Sequence, residues 1–323
     1  MIWNNPFFNK LNELGKKEQA FLFIIDFEGK QPEVFPLESL PHDIHFQIPG
    51  LSSQPKENNS PYKLSFIKHP VKFEDYKAKF ETIMSHIKNG DTYLINLTQP
   101  THVETNLDLM SIFRGAKAPY KLYFRNHFVV FSPETFIRIK GNKITTYPMK
   151  GTIDCSIPKA EYILLNDPKE ILEHNTIVDL MRNDLSIVAR KVKVERFRYI
   201  ETIKTHEKNI LQASSEISGI LPDNYRSHIG DILSAILPAG SISGAPKEKT
   251  VEILLNTEDY SRTFYTGVFG VFDGENLDSA VMIRYIEKSG AGFTYKSGGG
   301  ITFQSEVEKE YQEMIDKVYV PIT

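Results

Sequence analysis

The chain has 323 residues, 24% of them charged, and a formal net charge of −3, a balance that offers no basic surface for nucleic acid or an anionic membrane. Its single cysteine, Cys155, excludes an intramolecular disulfide framework. No apolar run approaches a membrane span, and the start MIWNNPFFNK lacks the basic region and apolar stretch of a secretory signal, so the expectation is a soluble cytoplasmic protein acting on small molecules and other proteins.

In chain order, FLFIIDF (Phe21 to Phe27) reads as a buried strand and Gly50 to Pro61 as an exposed polar loop. That loop sets off a short leader, residues 1–60, expected to pack its strands on a main body at 73–323. Phe73, Tyr76, Phe80, Ile83, Met84 and Ile87 recur at helical spacing up to Gly90, which suits a helix with a glycine cap. The strand TYLINLT follows. Short apolar runs from Lys121 to Tyr147, broken at Arg125-Asn126, Ser132-Pro133 and Gly141-Asn142, predict an antiparallel meander ended by PMKGT, Pro148 to Thr152. The longest helical pattern covers Lys159 to Asp184, and helices are expected again near Tyr225 to Ile236 and from Lys247 to Asn256. Strands at Phe264 to Phe272, Leu277 to Glu287 and Gly292 to Lys296 come next, the first two turned at Asp273-Gly274. The triple glycine Gly298 to Gly300 reads as a loop before an acidic helix, Val307 to Tyr319.

Several groups carry chemistry. Glu170 and Glu173 in KEILEH share a helix face with Ile177, Leu180 and Met181. Buried there, they need a cation or a proton; if apolar contact ends before Glu173, both are solvated. Glu310 and Glu313 repeat the spacing in KEYQEM, where an exposed pairing of Glu313 with Lys317 is the alternative. Two such carboxylate pairs, without histidine or thiolate, favour a hard cation such as Mg²⁺. Lys150, before Gly151, is either a solvated turn residue or a desolvated nucleophile or base. PAGSISGAPK, Pro238 to Lys247, opens a helix and either cradles an anion or makes a plain entry turn; its spacing fits neither a P-loop nor a nucleophile elbow. Gly298 to Gly300 and Arg284 are either anion contacts or a strand-end turn and a solvated arginine.

Taken in order, SPE (Ser132 to Glu134), PMKGT, KEILEHNTIVDLMRND, PAGSISGAPK, FYTGVFG followed by MIR, and GGGITFQSEVEKEYQEM resemble the chorismate-utilising enzymes, from about Phe73 to the C-terminus. The resemblance implies an α+β fold, a sandwich of two large antiparallel β-sheets with helices packed outside. It implies Mg²⁺ held by Glu173 and Glu313, with Glu170 and Glu310 nearby, on the ring carboxylate of chorismate. Thr152, Ser243, Tyr265, Arg284, Lys317 and the amides of Gly298, Gly299 and Gly300 match substrate-binding positions. Lys150 is similar to the lysine of the aminodeoxychorismate-forming branch, on the route to 4-aminobenzoate and folate. This implies that Lys150 attacks ring carbon 2 while Glu134 protonates the departing hydroxyl of carbon 4. Ammonia, delivered by a separate glutamine amidotransferase subunit, then displaces the lysine. The alternatives are anthranilate, isochorismate or salicylate formation, or a chorismate-binding subunit without catalysis. The chain departs from the family pattern at Gln212, where many relatives have histidine, with His206 too early to replace it, and at Leu94 in YLINL.

Overall fold

The structure is a computed structural model that describes residues 5–54, 64–204, 209–290 and 292–322. His206 and the polar loop from residue 55 to 61 lie outside the described residues. Helix α1 (Pro6–Lys16) starts at Asn5, whose side chain accepts from the Phe7 amide at 2.9 Å. Strand β1 (Phe21–Ile25) is buried at all five positions, and β2 (Glu33–Pro36), β3 (Ile44–Ile48) and β4 (Leu51–Ser52) follow. After β5 (Phe66–His69), helix α2 (Phe73–Lys88) stops before Gly90, which has φ +80° as the glycine cap requires. Next come β6 (Leu94–Thr105), α3 (Leu109–Gly115), β7 (Tyr120–Phe124), β8 (Phe128–Ser132), β9 (Thr135–Lys140), β10 (Lys143–Thr146) and β11 (Met149–Asp154). Helices α4 (Ala160–Asn166) and α5 (Pro168–Val188) lead into a long hairpin of β12 (Arg190–Lys204) and β13 (Asn209–Ile220). The remainder is α6 (Ile229–Ile236), β14 (Gly244–Ala245), α7 (Lys247–Thr257), β15 (Val268–Phe272), β16 (Leu277–Val281), β17 (Tyr285–Ser289), β18 (Gly292–Ile301) and α8 (Val307–Asp316).

These elements form two compact units, each built from three separate stretches of chain. The first takes residues up to Ser39, Glu134–Ser241 and Val268–Ala280. Its nine-stranded antiparallel sheet has the order β11-β13-β10-β9-β16-β15-β1-β2, with β12 beside β13. The second takes Leu40–Pro133, Ile242–Gly267 and the chain from Val281. Its nine strands run β14-β6-β18-β17-β8-β7-β3-β4, with β5 beside β6. Helices α1, α4, α5 and α6 belong to the first unit and α2, α3, α7 and α8 to the second. The expected α+β fold of two large antiparallel sheets with helices is therefore present. The leader is shared out, its residues to Ser39 in one unit and those from Leu40 in the other. Among the described residues no helix is long and apolar enough to cross a membrane.

Four expectations need correction. The meander is two hairpins, β7-β8 and β9-β10, which belong to different sheets; Pro133, between them, has no amide with which to continue a ladder. The strand expected at Leu277 to Glu287 is likewise divided into β16 and β17, and Arg284, at φ +55°, cannot lie in a strand. The long helical pattern breaks at Asp167-Pro168, because a residue before proline avoids helical geometry. Asp167 instead caps α5 by accepting from the Glu170 amide at 3.0 Å. The triple glycine is no loop: Gly298, Gly299 and Gly300 lie within β18 opposite Thr98, Leu97 and Asn96 of β6.

Candidate active site

The first unit places PMKGT on β11 instead of at the end of a strand. The pairing of β11 with β13 slips between Met149 and Thr152, a bulge that re-aims the side chain inside it. Gly151 makes this possible. It has φ +88°, and a Cβ there would lie 2.6 Å from Glu170 Oε2, so only glycine supplies both the backbone and room for the carboxylate. Lys150 consequently turns toward α5, with Nζ 2.9 Å from Glu173 Oε2. The side chains are 26% and 6% exposed respectively, which rules out a freely solvated turn lysine. Thr152 is exposed and sits in register with Gln212. Glu134 begins the first unit's second stretch, and its Oε1 accepts a hydrogen bond from Ser241 Oγ at 2.5 Å.

His174 belongs to this neighbourhood, though the sequence motifs do not point to it. It is fully buried, with Nε2 2.7 Å from Ser215 Oγ and Nδ1 3.4 Å from the Lys150 carbonyl oxygen. The signal was available: His174 follows Glu170 by four and precedes Ile177 by three, which puts it on the buried stripe of α5. Burial pushes its pKa down to about 4, against the bond to the Lys150 carbonyl and with help from the charges of Arg198 and Lys150. The native protein thus holds His174 neutral while the unfolded chain takes up a proton below its ordinary value of 6.5. Stability contributed by this group is complete above that pH and is lost as pH falls toward 4, by on the order of 3 kcal/mol. Urea unfolding between pH 7.5 and 4.5 should show this slope, and His174→Asn should flatten it.

In the second unit Arg284 stands at the junction of β16 and β17 with φ +55°, a costly geometry for a residue with a side chain. Its Cζ lies 5.0 Å from the ring centre of Tyr319, and its Nε is buried without a hydrogen-bond partner. Burial works against the cation, and the oxygens of Tyr295, Tyr319 and Tyr265 more than offset it, raising its pKa. No carboxylate among the described residues pairs with it. A desolvated guanidinium without a counter-ion favours an incoming anion. Tyr265 is buried, between Thr263 at φ +52° and Thr266 at φ +63°, both strained for β-branched side chains. Arg262 clamps this turn: it donates to both oxygens of Glu258 at 2.7 Å and to the carbonyls of Asn96 at 2.6 Å and Ile242 at 3.1 Å. Buried Ser243 accepts from the Asn96 amide through its carbonyl at 2.9 Å.

Helix α8 carries the second carboxylate pair. Glu310 is buried and accepts from Ser305 Oγ at 2.7 Å, while Glu313 Oε1 lies 2.7 Å from Lys317 Nζ, which also donates to the Gly298 carbonyl at 2.9 Å. A Cβ on Gly299 would stand 3.4 Å from Glu310 Oε2 and 3.5 Å from Glu313 Oε1, so both carboxylates converge on the space that glycine leaves. A Cβ on Gly298, by contrast, would lie 2.2 Å from the Leu97 carbonyl oxygen, so that glycine serves the approach of β18 to β6. Among the described residues no three His, Cys, Asp or Glu side chains gather to hold a metal ion. The converging pair on α8 nevertheless fits Mg²⁺, which takes one or two carboxylates and fills its shell with water and substrate oxygens. The first unit thus brings together Lys150, Glu170, Glu173 and His174; in the second, Tyr265 neighbours Arg284, and Gly299 gathers with Glu310, Glu313 and Lys317.

Comparison with known proteins gives a consistent result. Residues 27–323 match the family described as chorismate binding enzyme. A relative from Haemophilus influenzae, named "Uncharacterized PabA-like protein", is 50% identical over 321 residues, covering 98% of this chain and 96% of its own. The aminodeoxychorismate synthase component 1 of Salmonella typhimurium is 33% identical over 262 residues, 76% of this chain and 56% of its own length. Among solved structures, anthranilate synthase component I of Streptococcus pneumoniae superposes with a TM-score of 0.66 at 27% identity, covering 80% of this chain and 59% of its own. The menaquinone-specific isochorismate synthase of Escherichia coli shares the fold with a TM-score of 0.73 at 16% identity, covering 97% of this chain and 79% of its own.

Proposed function

This chain belongs to the chorismate binding enzyme family, and we propose that within it the protein is the aminating component of an aminodeoxychorismate synthase, converting chorismate and ammonia to 4-amino-4-deoxychorismate. The observation that carries this choice is Lys150, turned inward by the Gly151 bulge and held 2.9 Å from Glu173. A lysine so placed has a proton acceptor at hand, as a nucleophilic amine needs. The relative from Salmonella typhimurium that bears the component 1 name supports the same branch.

Each residue then has one task. Arg284, with Tyr265, Ser243, Lys317 and the amides of Gly298 to Gly300, takes the substrate's carboxylates. Glu310 and Glu313 would hold Mg²⁺, whose charge would neutralise the ring carboxylate. Lys150 passes its proton to Glu173 and bonds to ring carbon 2; the two ring double bonds shift, and the hydroxyl of carbon 4 leaves as water with a proton from Glu134. Ammonia adds at carbon 4, the double bonds shift back, and the lysine departs as a free amine. The enolpyruvyl group is untouched.

A second reading has an observation in its favour. The Lys150–Glu173 pair would also let the lysine act as a base toward water at carbon 2, which gives isochorismate. One reaction separates the two: chorismate, Mg²⁺ and ammonium, with products identified by mass. An ammonium-dependent product that keeps the enolpyruvyl group is expected; an ammonium-independent isomer of chorismate would replace the proposal. The lone Cys155 follows β11 directly, and ammonia is assigned to a separate glutamine amidotransferase subunit. Glutamine alone should therefore give no product in an assay where ammonium does.

A further inference from the structure

We propose that Tyr319 is a positioning residue for Arg284, its ring fixing the guanidinium in the orientation that receives a carboxylate; this rests on the assignment of Arg284 to the substrate. Tyr319 is 38% exposed, yet its neighbours Val318 and Val320 are 2% and 3% exposed and lie in an apolar cluster with Phe131, Ile286 and Tyr295. The same segment is tied at both ends. Lys317 Nζ donates to the Gly298 carbonyl at 2.9 Å, and the Pro321 carbonyl accepts from the Lys117 amide at 2.9 Å. The ring is thereby presented to Arg284, whose Cζ stands 5.0 Å from its centre. Arg284 is fixed from the other side, its carbonyl accepting from the Phe131 amide at 3.1 Å while its φ stays at +55°.

The choice of an aromatic partner has a chemical reason. An aspartate or glutamate in this position would orient the guanidinium but also neutralise it, and would compete with an incoming carboxylate. A tyrosine attracts the cation through its ring face and accepts one hydrogen bond from it at the hydroxyl, yet leaves the full charge and the unpartnered Nε–H for the ligand.

The test compares Tyr319→Leu, Tyr319→Phe and Arg284→Lys in the full chain, with two readouts. The first is the ¹H–¹⁵N signal of the Arg284 Nε–H, assigned by its disappearance in Arg284→Lys. It should be displaced by the Tyr319 ring current, should keep that displacement in Tyr319→Phe and should lose it in Tyr319→Leu. The second is steady-state turnover of chorismate: KM should rise about threefold to thirtyfold in Tyr319→Leu with kcat within about twofold of the parent, and Tyr319→Phe should restore it. An Nε–H signal that ignores the ring, or an unchanged KM in Tyr319→Leu, would overturn the proposal. Failure of the parent protein to turn over chorismate would overturn the proposed function instead, and the Nε–H displacement would still decide the contact.

Discussion

Replacing Lys150 with alanine is expected to lower the amination of chorismate by at least about a thousandfold, because loss of a covalent nucleophile removes a route and not merely a contact. The covalent adduct should vanish with it. Intact-protein mass spectrometry after mixing with chorismate and Mg²⁺ reads this directly, and an adduct that persists in Lys150→Ala would end the assigned role. Alanine also leaves Glu173, 6% exposed, without its partner at 2.9 Å, so some instability is expected too. Lys150→Arg separates the two effects. It keeps a cation for Glu173 but supplies no nucleophile, so it should retain stability and lose the adduct.

The largest effect on stability is expected at Arg262. Its side chain and that of Glu258 are 2% and 4% exposed, and it bridges β6, through the Asn96 carbonyl, to the small-residue loop, through the Ile242 carbonyl. Arg262→Ala removes the counter-charge of a buried carboxylate and a donor from each of two carbonyls, a loss of about 3–5 kcal/mol. Urea unfolding measures it. Replacing both Arg262 and Glu258 with methionine should recover only part of the loss: no charge is then buried alone, but the Thr98 amide and hydroxyl, which donate to Glu258 at 2.9 and 2.8 Å, lose that acceptor. A cost below about 1 kcal/mol for Arg262→Ala would show that the clamp is not structural.

The site residues were easier to read in the sequence than their surroundings. Periodicity placed α2, α7 and the Asp273-Gly274 turn because those patterns depend on neighbours within one element. It failed where the chain changes sheet, at Pro133 and at Arg284, since alternation continues through a run whether or not consecutive strands share a sheet. Glycine is a turn signal, so the glycines of β18 read as a loop in the sequence; their actual cause, the nearness of β6, is set by residues about two hundred positions earlier. The motifs named Glu173 and Lys150, but not that they form an ion pair. That contact depends on a one-residue slip in the pairing of β11, to which no local pattern points.

The strand orders also constrain how the chain acquires its structure as it is made. In the first sheet β1 and β2 connect to β9 only through β15 and β16, and in the second β6 connects to β8 only through β18 and β17. All four bridging strands lie between Val268 and Ile301. A nascent chain that has emerged as far as α7 therefore holds four incomplete sheet fragments with unpaired edges, which are hazards for association with other chains. Both sheets close within one short interval of synthesis, and the residues that would bind substrate on β18 and α8 emerge in or just after it.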